Sequence, residues 1–172
     1  MATDESDLWP ADLVVDVRSP IMILNEQAEA LSKRTKGIVK GEVVSGVSGR
    51  FEQPSFDLVA PAVGVRHRIL RVRYSKELPY PVVLIAGPLQ RNIVAFADQP
   101  DFATPAEWNL AGDEAAQARL AHTPNEVREF LKTIFNAPTS RATLFSLVAR
   151  SNEVIGAVRS PTEEAHENSK PN

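Results

Sequence analysis

Apolar positions change their period twice along the 172-residue chain, and those changes mark out its elements. ADLVVDV (11–17) alternates and predicts a short strand. Ser19-Pro20 then supplies a helix start, with Ser as N-cap and Pro at the first helical position. Behind it Ile21, Leu24, Ala28 and Leu31 recur at helical spacing and form one apolar stripe. Lys33, Arg34 and Lys36 fall where cations favour the helix dipole, and Gly37 is a C-terminal stop.

From residue 38 to 97 the pattern is that of strands. GIVKGEVVSGV carries valines and an isoleucine interrupted by Gly41 and Gly46, which mark bulges or bends. SFDLVAP and VRHRILRVRY follow. PVVLIA (81–86) is apolar throughout, as a strand buried on both faces requires. With the Gly87-Pro88-Leu89-Gln90 turn and NIVAFA (92–97) it predicts a hairpin.

The stretch 98–122 is rich in loop signals, with a helix start at Thr104-Pro105 and a small alanine-rich helix, DEAAQARLA. Thr123-Pro124-Asn125-Glu126 is a capping box. It opens a helix whose Val127, Phe130, Leu131, Ile134 and Phe135 keep perfect amphipathic spacing. Pro138 ends that helix. A last one starts near Thr139 or Ser140, buries Leu144, Phe145, Leu147 and Val148, and extends toward Val158. These elements predict an α+β fold: a mostly antiparallel sheet of four to six strands, with an N-terminal helix and two or three C-terminal helices packed on one face. One domain spans 12–158, after a flexible acidic N-terminus (1–11) and before a disordered polar tail (159–172).

The hydrophobic fraction of 43% and charged fraction of 24% are ordinary for a soluble globular chain. There is no cysteine, which removes disulfides, thiolate metal sites and cysteine nucleophiles together. No apolar run reaches the roughly 20 residues that span a bilayer. The acidic N-terminus has no signal-peptide pattern, so a cytoplasmic protein without a membrane role is expected. The net charge of −3 is unevenly spread. Residues 1–17 hold five acids and no base, residues 18–95 twelve bases against six acids, and residues 96–172 seven bases against eleven acids. A basic middle between acidic ends suits either an anion-binding face or pairing within the fold.

Catalytic patterns are missing. His67, His122 and His166 are scattered, with no HxH or HExxH spacing, so no metal or other cofactor is expected. None of the eight glycines builds a GxGxxG or GxxxxGK[ST] loop, and SGVSGR (45–50) lies between strands, as a turn would. No GxSxG elbow occurs. Glu42, Glu52 and Asp57 lie on or beside strands, as in magnesium-dependent nucleases. The lysine such a site wants on the next strand is replaced by Arg66-His67-Arg68.

The basic strand RHRILRVRYS is the strongest lead. Alternation puts Arg66, Arg68, Leu70, Val72 and Tyr74 on one face and His67, Ile69, Arg71 and Arg73 on the other. Leu70, Val72 and Tyr74 are expected inside, Arg71 and Arg73 outside with His67. Arg66 and Arg68 lie near the strand end. Lys33, Arg34, Lys36 and Lys40 are candidates to extend the basic patch, and Trp108 either pins its loop to the core or anchors a partner. Together these residues describe a non-enzymatic bacterial protein that binds another macromolecule, foremost a protein or a second copy of itself. One alternative is a nucleic-acid-binding module using Arg66, Arg68, Arg71 and Arg73 with the lysine cluster. Another is an enzyme of unrecognised type with its site in the 98–122 loop.

Overall fold

A computed structural model describes residues 17–87, 108, 110, 114 and 118–159. It shows an N-terminal helix, a seven-stranded antiparallel sheet and two C-terminal helices, an α+β fold. Helix α1 (Pro20–Arg34) leads into β1 (Lys40–Val44), β2 (Val47–Ser48), β3 (Phe51–Glu52), β4 (Ser55–Ala60), a 3-10 turn (Pro61–Val63) and the long β5 (Val65–Ser75). Then come β6 (Val82–Ala86), β7 (Ala118–Ala121), α2 (Pro124–Asn136) and α3 (Pro138–Arg159). The sheet exceeds the predicted strand number because β2 and β3 are two residues each, too short to show a period.

β5 organises the sheet. Leu70 and Arg71 pair with β4 on one edge and with β6 on the other, and Tyr74 pairs with both β3 and β6. β1 extends the sheet beyond β4, and β7 extends it beyond β6. The predicted helix in DEAAQARLA gives way at its C-terminal half: Ala118–Ala121 is a strand paired with Val82–Ile85. Its helix propensity is local and modest, whereas pairing satisfies the edge of the apolar β6 backbone. The predicted strand at 11–17, apart from Val17, which is in no strand, the second hairpin strand at 92–97 and the helix start at Thr104-Pro105 lie outside the described residues.

β6 is buried along its whole length, as its unbroken apolar run requires. Val82, Leu84 and Ala86 face the helices, in a core with Ile23, Leu24 and Ala28 of α1, Val127, Phe130, Leu131 and Ile134 of α2, and Leu147 of α3. Val83 and Ile85 face the other way and pack with Phe51, Trp108 and Ala118. Trp108 thus pins its segment to the domain, its ring stacked on Phe51 at a 5.4 Å centroid distance.

The helix ends follow their sequence signals. The Glu126 amide donates to Thr123 Oγ1 (3.2 Å), and Glu126 Oε2 accepts from the His122 amide (2.9 Å), so the capping box reaches one residue further back than usual. α1 closes at Gly37, whose φ of 78° only glycine adopts freely and whose amide donates to Ser32 O (2.8 Å). Ile23 is fully buried on α1, while Ile21 and Leu31 of the predicted stripe are half-buried flanks. Phe145, predicted as core, is 62% exposed, because α3 turns Leu147 rather than Phe145 inward. No helix among the described residues is long and apolar enough to cross a membrane.

Candidate functional site

The four arginines of β5 stand on one face of the sheet. Arg71 pairs with Ser55, and Arg68 pairs with Asp57, two positions along β4 and therefore on the same side. The register shift leaves Ile69 as an extra residue on β5, a β-bulge. It corrects the predicted alternation. Ile69 joins Leu70, Val72 and Tyr74 in the core against the helices, and Arg66, Arg68, Arg71 and Arg73 all lie on the opposite face. His67 pairs with Leu58 and goes to the helix side, half-buried, not outward with the arginines.

Each arginine meets an acid or a carbonyl. Asp57 is 1% exposed and accepts from Arg66 (3.2 Å) and Arg68 (3.3 Å), and Arg66 also donates to Glu42 (2.6 Å). Donating these hydrogen bonds to Glu42 and Asp57 raises the Arg66 pKa. Two of the three acids that invited a magnesium reading, Glu42 and Asp57, are thus paired with arginine. Arg71 and Arg73 were predicted to project outward, and the structure corrects this. Arg73 is 4% exposed, donates to the Trp108 carbonyl (2.5 Å) and lies 3.9 Å from Glu114, which also pairs with Arg71. Burial lowers the Arg73 pKa, and Glu114 counters that shift. Alternation treats a strand face as uniform, but here the segment carrying Trp108 and Glu114 covers one half of it.

The other candidate cations divide between two sides. Lys40 pairs with Val59, which pairs with Arg66, so Lys40 belongs to the exposed half of the arginine face. Lys33 and Arg34 are in the last turn of α1, and Lys36 follows it with φ 51°. α1 covers the opposite sheet face, so the predicted composite patch is split by the thickness of the sheet. Most of the 98–122 loop lies outside the described residues.

A concavity that no single stretch of sequence reveals lies on the helix side. It is a partly open groove of about 640 Å³ bounded by α1, α2 and α3, with β4 and β5 beneath. Leu31, Phe56, Leu58, Ile69, Leu131 and Leu144 give it an apolar floor. Phe135 packs against Phe56 with the rings tilted by 45° at a 5.2 Å centroid distance, and exposed Phe145 stands at one side. Four cations line it: Arg34 of α1, Arg128 and Lys132 of α2, and Arg141 of α3. None of the described lining residues is Asp or Glu.

Of these cations only Arg34 was a sequence candidate. Arg128, Lys132 and Arg141 were missed, because each reads singly as a solvated helix position. Lys132 lies 3.9 Å from Glu129, an exposed pair of little energetic worth, and Arg128 donates to Asn125 (3.2 Å). The Arg141 guanidinium lies 5.9 Å from the Phe145 ring centroid, a cation–π contact that holds both side chains at the groove's edge. Among the described residues, no three of His, Asp or Glu come together to hold a metal ion. The groove therefore offers apolar burial and positive charge, the chemistry of binding an amphipathic anion. No family model, no curated protein and no solved structure matches the chain.

Proposed function

We propose that this protein acts by binding rather than by catalysis, and that it holds another protein through the groove between its three helices. One observation carries the proposal: a concave apolar floor beside a 62%-exposed phenylalanine, lined by four cations with no carboxylate among the described lining residues. Leaving Phe145 in water forgoes burial that would stabilise the fold. Arginines and aromatics around a concavity are the residue types that dominate binding energy at protein interfaces. The nucleic-acid alternative draws less support. Arg66 and Arg68 address Asp57, and Arg71 and Arg73 address Glu114.

The test is site-specific photo-crosslinking in the source cell from position 145. Leu78, also exposed but not lining the groove, serves as the control position. Discrete protein adducts from 145 and none from 78 are expected. Crosslinks only to nucleic acid, or no discrete protein adduct from 145, would overturn the proposal.

A further inference from the structure

We infer that the groove seats one acidic amphipathic helix of a partner protein, with carboxylates one helical turn apart facing Arg128 and Lys132. The inference rests on the protein-binding proposal and specifies its partner. Arg128 and Lys132 are four residues apart on α2, so their side chains rise from one helix face about 6 Å apart. A helix lying alongside α2 presents two acids at i and i+4 with the same separation. Arg34 and Arg141 then face the partner from α1 and α3.

Arg141 gives a second, independent pointer. It occupies the first turn of α3, where its charge adds to the positive end of the helix dipole instead of offsetting it. It makes no ion pair with any described residue, and neither does Arg34. The cation–π contact of Arg141 with Phe145 orients the guanidinium without neutralising its charge, which an anionic partner would do.

The floor selects the class of anion. Leu31, Phe56, Leu131 and Leu144 leave apolar surface between the charges, which a row of side chains from an amphipathic helix covers. A nucleic-acid backbone would meet the cations and leave that floor in water. A bilayer would need a convex apolar face, whereas this one is concave.

The test is a fluorescence-anisotropy titration with two labelled 18-residue helical peptides of equal composition. One carries glutamates four apart beside a leucine–phenylalanine stripe; in the other the glutamates move to the opposite face. The first is expected to bind at least tenfold more tightly. Arg128→Glu combined with Lys132→Glu should weaken it at least tenfold, and exchanging the peptide's glutamates for lysines should recover binding to that variant. Arg128→Gln with Lys132→Gln, a gentler pair on exposed or half-buried positions, should give a smaller loss with an unchanged circular dichroism melt. Equal affinity for the two peptides, charge reversal without effect, or displacement of the peptide by a single-stranded oligonucleotide or by phosphatidylserine vesicles would each overturn the inference. Discrete adducts from position 145 alongside such a failure would leave protein binding standing and remove only the acidic helix. Loss of the adducts would remove both.

Discussion

Arg68 and Arg71 stand on the same side of β5 although three positions separate them, a spacing that puts side chains on opposite faces of a regular strand. The intervening bulge at Ile69 reverses the phase. It lets one strand give the core Ile69, Leu70, Val72 and Tyr74 while every arginine stays off the helix side. Ile69→Ala removes a fully buried side chain and should cost about 2–5 kcal/mol. Deleting Ile69 should cost clearly more, because it turns Arg66 and Arg68 toward the helices and leaves charge without partners in the core. Urea unfolding of the two variants makes the comparison. Equal losses would show that the bulge does not set the faces.

Trp108 covers the other half of the arginine face, through its ring on Phe51 and its carbonyl on Arg73. Trp108→Ala should destabilise the domain by about 3–5 kcal/mol, the range for removing a large buried aromatic. Trp108→Phe keeps the ring stack and the main-chain carbonyl, so it should recover more than half of the loss. If Trp108→Ala leaves the urea midpoint unchanged, the segment is not integral to the fold.

Gly41 of β1 lies directly against Ala28 of α1. A Cβ there would stand 2.6 Å from the Ala28 Cα and 2.9 Å from Phe56 Cζ. Gly41→Ala should therefore cost about 1–3 kcal/mol through overpacking. Adding Ala28→Gly should relieve little of it, because the closest clash is with main chain. Full recovery in the double variant, read from thermal melts, would contradict that contact.

Tyr80 links stability to alkaline pH. Its hydroxyl donates to the Arg18 carbonyl (2.8 Å), and burial pushes its pKa up to about 12 against the pull of Arg128. The folded state keeps a proton that the unfolded chain releases near pH 10. Stability is therefore fully present below about pH 10 and is lost as pH rises toward about 12. Burial raises Tyr74 as well, so wild type and variant share that part of the trend. Tyr80→Phe should be less stable than wild type at about pH 9, with the gap narrowing toward about pH 11.5. A constant gap in urea midpoints would show that Tyr80 does not titrate in this way.

Much of the fold was legible in the sequence where one element's own residues decide the outcome. The Thr123–Glu126 box, the stripe Val127-Phe130-Leu131-Ile134 and the Gly37 stop are local signals, and all appear as read. PVVLIA announced a strand covered on both faces, because neither set of its alternate residues is polar. β7 was misread as helix, since its alanines carry a weak helical preference that pairing with β6 overrides.

The sequence by itself determined the class of the fold, the helices with their caps, and the dense positive charge of β5. Each of these depends on residues within a few positions of one another. Only the tertiary structure decided how that charge is used. A bulge, set by pairing with β4, chose the face of Arg66 and Arg68. Trp108, 35 positions from Arg73 in the chain, and Glu114, 43 positions from Arg71, covered the rest. The cationic groove belongs to the same category: Arg34, Arg128, Lys132 and Arg141 come from three helices, and only packing brings them around one apolar floor. Periodicity reports the face a residue occupies on its own element; it carries no information about which distant face will come to lie opposite.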